Sequence, residues 1–128
     1  RQFCRRNPDM KIVGLRYSNI MEEHDYRQFH SFQNDPFLRK WNFWGYIDAR
    51  DVAQACLLAM ESKLKGADNF IIAADDTVMN EDNKKLLDKV FPNINIKGEI
   101  GKNKTLLSNE KAKKILGFKP EYSWRKIN

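Results

Sequence analysis

The sequence predicts an α/β fold, in which strands and helices alternate along the chain. Short apolar runs typical of buried parallel strands are followed by segments in which apolar residues recur every three or four positions, as on one face of a helix. Hydrophobic residues make up 41% of the 128 residues and aromatic residues 12%, which is enough for a core. Because no Gly/Ser-rich linker or repeat divides the chain, we expect one modest domain or a piece of a larger one.

The first third of the chain is expected to contain the end of a helix, a strand and a mixed segment. Residues 1–7 have helical character, and Pro8 disfavours helix at the residue before it. Residues 11–17 contain consecutive apolar residues, which predict a buried strand. Residues 22–40 show aromatic residues at helical spacing and then a turn at 34–36.

A second strand and a long helix are predicted around Asp48. The strand is expected over residues 43–47. Asp48 is a suitable N-cap for the helix, with Asp51 at the third helical position in a variant of the capping box. We expect the helix to end at Gly66. Its predicted inner face consists of Val52, Ala55, Cys56, Ala59 and Met60.

The second half of the chain continues this alternation. Polar residues, glycine and proline mark the ends of the predicted elements. In order, these are a strand over 69–74, a helix over 81–91 that Asn80 caps, a short strand over 94–96, and a last helix that Ser108 or Asn109 caps and Gly117 ends.

The formal charge of +6 lies in the last quarter of the chain. Residues 97–128 hold 9 Lys or Arg against 3 Asp or Glu, whereas residues 1–96 are neutral. This basic segment includes Lys102, Lys104, Lys111, Lys113 and Lys114. Because these lysines are not interleaved with aromatic residues that could stack on bases, a solvated basic face is favoured over an anionic small-molecule site and over nucleic-acid binding. No nucleic-acid partner is therefore expected.

Cysteine usage and hydropathy predict the cellular compartment of the protein. Cys4 and Cys56 lie on predicted helices without CxxC or Cys/His spacing, so we expect buried free thiols rather than a disulfide or a metal site. No apolar run reaches the ~18 residues that a membrane span needs, and no signal peptide is visible. We expect no membrane partner, and a cytoplasmic location is the default.

Sequence signals for catalysis are few. The chain has no GxGxxG or P-loop pattern and no GxSxG or HExxH pattern, and no metal site is expected. His24 lies among consecutive acidic residues whose side chains would point around a helix axis, so a solvated turn is expected there. We expect His30 to be a partly buried polar residue.

A dense set of aromatic residues lies beside Arg39 and Lys40. Its members are Trp41, Phe43, Trp44 and Tyr46. Alternation along the predicted strand places Trp44 and Tyr46 on one face and Phe43 on the other. Core packing is one interpretation. The wall of a ligand pocket is the other, because pockets are mostly apolar with a few placed polar groups.

Four motifs occur in a defined order along the chain. They are Leu15–Asn19 (LRYSN), Trp44–Ala53 (WGYIDARDVA), Ser108–Ala112 (SNEKA) and Leu116–Pro120 (LGFKP). In this order they resemble the C-terminal part of the NAD-dependent epimerase/dehydratase family, the extended short-chain dehydrogenases/reductases. The resemblance spans about residues 1–126.

The resemblance implies that this chain is the C-terminal substrate-binding part of a Rossmann-like enzyme and lacks the dinucleotide-binding half. Within a single domain over 1–128, residues 1–21 would be the end of the catalytic helix and the following strand of the Rossmann-like core. Residues 22–128 would be the substrate domain. The family's catalytic Tyr-x-x-x-Lys pair would precede residue 1, so no catalytic residue is expected in this chain.

The resemblance also implies residues of the site. Ser18 would lie against the nicotinamide end of NAD or NADP in the intact protein, and Asn19 would hydrogen-bond the substrate. Trp44 and Lys40 are further predicted substrate-binding residues. Trp44 stands where sugar-nucleotide epimerases carry an arginine for the diphosphate, which favours a less charged or sugar-acid-like ligand over a UDP-sugar. No cofactor is expected to bind this chain alone.

We therefore expect the substrate-binding part of an NAD(P)-dependent oxidoreductase, epimerase or dehydratase that acts on a sugar or a related hydroxyl compound and is inactive alone. A stand-alone binding domain of the same ancestry is the alternative, and a basic nucleic-acid binder is the third hypothesis. Because the missing N-terminal half would leave strand edges and apolar faces open, we also expect self-association.

Overall fold

Parallel strand pairs connected by helices organise the protein, which is an α/β fold as the sequence predicts. The computed structural model describes residues 2–127; Arg1, which the sequence places in the first helix, and Asn128 lie outside them. In chain order the helices and strands are α1 (Gln2–Arg6), β1 (Lys11–Tyr17), β2 (Ile20–Met21), α2 (Phe29–Phe32), β3 (Ile47–Asp48), α3 (Ala49–Glu61), β4 (Gly66–Ile72), α4 (Asn83–Val90) and α5 (Glu110–Leu116). Short 3-10 helices occupy Glu23–Gln28, Lys40–Asn42 and Trp124–Lys126.

Strand β1 is followed by a change of partner. It pairs in parallel with β4 over the whole length of both strands. The N–H of Ser18 still donates to the carbonyl of Ile72 in β4 (3.0 Å). The carbonyl of the next residue, Asn19, accepts from the N–H of Ile47 (2.9 Å), and β2 then pairs in parallel with β3. One extended segment therefore joins two sheets.

The two faces of the β1–β4 pair are covered unequally. On one face, Phe70 and Ile72 are buried in a hydrophobic core that α3 and α5 share. On the other face, Ile12 is 40% exposed and Arg16 is also exposed. No residue of β1 is fully buried, although parallel sheets are normally covered on both faces. The predicted bounds of this strand are thus confirmed, but the prediction that the strand is buried is wrong.

Helix α3 begins at the predicted N-cap. The carboxylate of Asp48 accepts a hydrogen bond from the N–H of Arg50 (2.8 Å). The capping-box prediction for Asp51 is wrong: this residue is fully buried, and its carboxylate accepts from the N–H groups of Glu121 (3.0 Å) and Tyr122 (3.1 Å). Burial raises the pKa of Asp51, and these two hydrogen bonds act in the opposite direction. The hydrogen bonds to Asp51 therefore hold the C-terminal segment against α3.

The C-terminal end of α3 is fixed by a lysine from β1. The helix ends at Glu61, before the predicted end at Gly66. The ammonium group of Lys11 donates to three carbonyls at this end, those of Ala59 (3.2 Å), Met60 (2.7 Å) and Ser62 (2.8 Å). It thereby satisfies carbonyls that the end of a helix leaves unpaired. Gly66 has a φ of 76° but is the first residue of β4.

The predicted inner face of α3 is correct only in part. Ala55 and Ala59 are buried, whereas Met60 is 76% exposed, so its predicted burial is wrong. Both cysteines are free thiols, as the sequence predicts. Cys4 is buried and Cys56 is half-buried.

The aromatic segment before β3 does not form the predicted strand. Phe43 and Trp44 have left-handed backbones, with φ of 50° and 57°, and the strand begins only at Ile47. This conformation is costly for bulky residues and is kept where tertiary contacts require it. Here the turn buries the indole of Trp44, whose N–H donates to the carbonyl of Pro36 (2.8 Å). Tyr46 is fully buried in the same core.

Helix α4 begins later than the sequence predicts. Asp82 caps it in place of Asn80, because the carboxylate of Asp82 accepts from the N–H of Lys84 (2.8 Å). Residues 94–96 do not form the predicted short strand. These residues are exposed, and no neighbouring strand in the described part of the chain pairs with them.

The last helix lies where the sequence predicts, but the side chain of Asn109 does not cap it and instead donates to the carbonyl of Ala73 (2.9 Å) and to Oδ1 of Asp75 (2.8 Å). Helix α5 begins directly after Asn109 and ends at Gly117, whose φ of 73° is the left-handed conformation that glycine adopts without strain. Strand β4 begins and ends earlier than the strand predicted over 69–74. None of the helices within residues 2–127 has the length and apolar composition needed to cross a membrane.

The buried carboxylate of Asp48 links α3 to the preceding 3-10 helix. Asp48 is 1% exposed and accepts hydrogen bonds from the hydroxyl of Tyr26 and from Nε (2.8 Å) and Nη2 (2.9 Å) of Arg50. Burial alone would raise the pKa of Asp48, but the hydrogen bonds from Arg50 and Tyr26 hold it below its usual value. Burial and the neighbouring carboxylate raise the pKa of Tyr26.

Asp48→Asn is expected to lower the free energy of unfolding at neutral pH by about 1–3 kcal/mol, because charge-assisted hydrogen bonds are lost. The pKa of Asp48 is lower in the folded than in the unfolded protein, so its contribution is present above the unfolded pKa and is lost as the pH falls through the folded pKa. Urea unfolding at a series of pH values should therefore show that acidification destabilises the variant less than the wild type.

Glu23→Gln is the matched control for Asp48→Asn. Glu23 pairs with the same Arg50 (3.1 Å), but its side chain is 61% exposed. The control should change the free energy of unfolding by less than about 0.5 kcal/mol. Equal acid sensitivity of the wild type and Asp48→Asn would contradict the role given to Asp48.

The uncovered face of the β1–β4 pair is expected to cause weak self-association. Ile12→Lys should reduce the rise of the average mass with concentration in light scattering, because a charge on an exposed sheet disfavours strand and face contacts. Met60→Lys, on the exposed surface of α3, is the control and should leave this rise unchanged. A wild-type protein that stays monomeric at high concentration would contradict the expectation.

Candidate functional site

Polar residues gather where β1 ends and the chain changes partner. Ser18 and Asn19 lie between the two sheets and next to the segment that contains Arg39 and Gly45. In α/β proteins, ligands bind outside the carboxyl ends of parallel strands, at points where the strand order changes. We name Ser18, Asn19, Arg39, Asn42 and Gly45 the Ser18–Arg39 cluster.

Gly45 lies at the centre of this cluster. A Cβ atom at this position would lie 2.7 Å from Cδ1 of Leu107, 3.0 Å from Oγ of Ser18 and 3.2 Å from the carbonyl oxygen of Asn42. The backbone of Gly45 can approach Ser18 this closely only because it has no side chain. Its carbonyl accepts hydrogen bonds from Nη2 of Arg39 (3.2 Å) and from the amide of Asn42 (2.8 Å).

Arg39 carries a buried positive charge. The residue is 6% exposed, and within residues 2–127 no Asp or Glu lies at ion-pair distance from its guanidinium group. Burial lowers the pKa of Arg39. The guanidinium carbon lies 5.0 Å from the ring centre of Phe32 and 5.6 Å from that of Trp41. With its oxygen toward Arg39, the amide of Asn19 accepts from both terminal nitrogens at 3.2 Å.

Three buried atoms of the cluster have no hydrogen-bond partner in the described part of the protein. They are Oγ of Ser18, Nε of Arg39 and Oδ1 of Asn42. Buried polar groups are nearly always paired, since an unpaired one costs about 1–3 kcal/mol. A group of unpaired polar atoms around an uncompensated charge calls for an explanation such as bound water, an ion or a ligand.

The sequence-predicted residues divide into two pairs. Ser18 and Asn19 belong to the cluster. Lys40 is exposed, and its ammonium group lies 5.5 Å from the ring centre of Phe37. Trp44 is fully buried, which favours the packing interpretation of the aromatic set. The roles of Lys40 and Trp44 in substrate binding stay predictions.

Sequence reasoning missed three members of the cluster. Arg39, Asn42 and Gly45 lie in a segment, residues 36–47, that contains two cations and no acidic residue. This lack of a nearby counter-charge is a signal for an unpaired cation. Nothing in the local pattern shows that Arg39 is buried and Lys40 is not.

A separate cleft of about 880 Å³ opens to solvent on another part of the surface. Its lining includes Glu22, His24, Tyr26, His30, Trp124 and Arg125. The cation of Arg125 is already satisfied, because its Nε lies 3.1 Å from Oδ2 of Asp76. His24 and His30 are both exposed, so the predicted partial burial of His30 is wrong. The cleft therefore has weaker signs of ligand binding than the Ser18–Arg39 cluster.

The basic segment is partly neutralised within the fold. Its ion pairs join Lys104 to Glu110 (3.5 Å), Lys111 to Asp68, and Lys113 to Asp75 (2.6 Å). Lysines engaged with carboxylates are less available to phosphates, which favours the solvated basic face. Among residues 2–127, no group of three or more His, Cys, Asp or Glu side chains is arranged to hold a metal ion.

No protein-family model, curated protein or solved structure matches the chain. Function is therefore inferred from the chemistry of the Ser18–Arg39 cluster and from the resemblance that the sequence motifs carry. Of these two, the cluster is independent of any family pattern, because burial, distances and unpaired atoms define it.

Gly45→Ala is expected to lower the free energy of unfolding by about 1–3 kcal/mol, because the added methyl group must displace the side chain of Leu107 and would press against Ser18 and the backbone of Asn42. Thermal or urea unfolding measures this loss. Gly14→Ala is the control, since its Cβ would lie 3.5 Å from the nearest atom, an ordinary contact, and stability should stay the same or rise slightly. A variant at position 45 as stable as the control would refute the close packing of the cluster.

Proposed function

We propose that this chain supplies the substrate-binding part of an NAD(P)-dependent oxidoreductase, epimerase or dehydratase that acts on a sugar or a related hydroxyl compound. The observation that carries the proposal is the Ser18–Arg39 cluster at the carboxyl end of β1. Ser18 and Asn19, which the resemblance assigns to the cofactor and the substrate, are neighbours there of an unpaired buried charge.

Ser18 and Asn19 are consecutive, and they can contact the cofactor and the substrate respectively because they lie at the boundary between the two sheets. The hydroxyl of Ser18 is buried and has no partner in the described protein, and we assign it, as the resemblance does, to the nicotinamide end of the dinucleotide. The amide of Asn19 can donate to or accept from a substrate hydroxyl. NAD or NADP, when bound, supplies hydride transfer to or from the substrate. Free cysteines agree with a cytoplasmic enzyme.

Tyr122 and Lys126 have the spacing of a Tyr-x-x-x-Lys pair but do not fit the catalytic role. The guanidinium carbon of Arg50 lies 3.7 Å from the ring centre of Tyr122. The ammonium group of Lys126 donates to the carbonyl of Glu121 (2.8 Å). We therefore propose that the dinucleotide site and the proton-transferring pair come from residues outside this chain, and that the chain alone is inactive.

The test compares the complete product of the gene that encodes this chain with residues 1–128 alone. The complete protein should reduce NAD⁺ or NADP⁺ with a panel of sugars and sugar acids, whereas residues 1–128 should not. Asn19→Ala should lower kcat/KM by about 10-fold or more, because a substrate hydrogen bond is lost. Asn93→Ala, at an exposed loop position, is the matched control and should leave kcat/KM unchanged.

Two results would overturn the proposal. One is a complete protein without nicotinamide-dependent turnover on any hydroxyl compound of the panel. The other is an Asn19→Ala enzyme with the same kcat/KM as the Asn93→Ala control, which would remove the cluster from the substrate site.

A further inference from the structure

Arg39 is unusual because its positive charge is buried. A guanidinium group that is 6% exposed would normally be paired with a carboxylate, because an uncompensated buried charge is strongly unfavourable. Here its partners are neutral: the carbonyl of Gly45, the amide of Asn19 and the faces of two aromatic rings. The described residues thus bury this cation without a carboxylate to neutralise it.

The net charge of the site is that of one cation. Ser18, Asn19 and Asn42 are neutral, and Lys40, the neighbouring cation, extends into solvent. A ligand with one negative charge would neutralise Arg39. A phosphate monoester carries close to two charges at neutral pH and would leave one of them buried and uncompensated.

The unpaired donor of the site matches an oxyanion acceptor. Nε of Arg39 is a donor with no partner in the described protein. A planar guanidinium group is the side chain best suited to the two oxygens of a carboxylate. Trp41, which is 68% exposed beside Arg39, offers an apolar wall for the rest of such a ligand on the solvent side.

We propose that the Ser18–Arg39 cluster binds a single carboxylate group of the substrate, through the guanidinium of Arg39. The assignment rests on the proposed function, since it takes the cluster to be the substrate site. It narrows the substrate class to hydroxy acids, such as sugar acids with one carboxylate. Asn19 then remains available to a hydroxyl group of the same molecule.

Calorimetric titration of residues 1–128 with matched ligands tests the proposal. Glucuronate has one carboxylate, glucose has none, glucose 6-phosphate has a phosphate, and acetate is a carboxylate without a sugar. Glucuronate should bind about 10-fold or more tightly than glucose and more tightly than glucose 6-phosphate, because among these three sugars only glucuronate carries a single negative charge.

Three variants test the contribution of the buried cation. Arg39→Met should weaken glucuronate binding about 10- to 100-fold and leave glucose binding unchanged. Arg39→Lys keeps a charge but loses the planar donors, and should bind glucuronate with intermediate affinity; it also decides the question if Arg39→Met does not fold. Lys97→Met, at an exposed lysine outside the cluster, is the matched control and should change glucuronate binding by less than about 2-fold.

The outcomes distinguish this proposal from the proposed function. Equal affinities for glucuronate and glucose, or an Arg39→Met variant with unchanged glucuronate binding, would overturn the carboxylate site and leave a sugar-binding function standing. Tighter, Arg39-dependent binding of glucose 6-phosphate would also overturn it, in favour of phosphate. Arg39-dependent binding of acetate without binding of any sugar compound would support the carboxylate site and count against the proposed function. A wild-type chain that binds none of the four ligands would overturn the carboxylate site.

Discussion

The change of partner between Tyr17 and Ile20 is the constraint on which the rest of the structure depends. One extended segment bonds to β4 up to Ser18 and to β3 from Asn19 onward. Two consecutive side chains therefore lie at a boundary between sheets instead of on the face of one sheet. The segment that passes this boundary approaches so closely that a Cβ atom at Gly45 would lie only 3.0 Å from Oγ of Ser18. Backbone pairing thus decides which polar groups meet.

Elements with strong local signals could be predicted from the sequence, and the errors lie where one pattern fits two structures. Gly117 ends α5 as expected. Gly66 has the positive φ expected of a residue that ends a helix, but it is the first residue of a strand. Glycine is favoured wherever φ is positive, so the sequence alone does not distinguish the two cases. The aromatic residues around Trp44 alternate like a strand, yet burial of its indole requires a left-handed turn. Asp51 fits a capping box but bonds to an N–H group 70 residues away.

The candidate site could be predicted in part. Ser18 and Asn19 follow from the resemblance of a motif, whereas the burial of Arg39 depends on how separate segments pack. Sequence cannot distinguish Arg39 from Lys40, its neighbour, because tertiary structure alone places one in the interior and the other in solvent. A lone buried charge lowers stability, and proteins tend to keep such a feature where binding requires it. The least predictable residue is therefore also the most informative about function.

The buried carboxylate of Asp51 also has a consequence for local motion. Glu121 and Tyr122 lie in no helix or strand, where amide hydrogens commonly exchange rapidly with solvent. Their N–H groups instead bond to a carboxylate that is inaccessible on α3. Exchange of these two amide hydrogens requires the C-terminal segment to separate from the helix. Slow exchange at these two positions in an irregular stretch of chain would therefore report how rarely that stretch leaves α3.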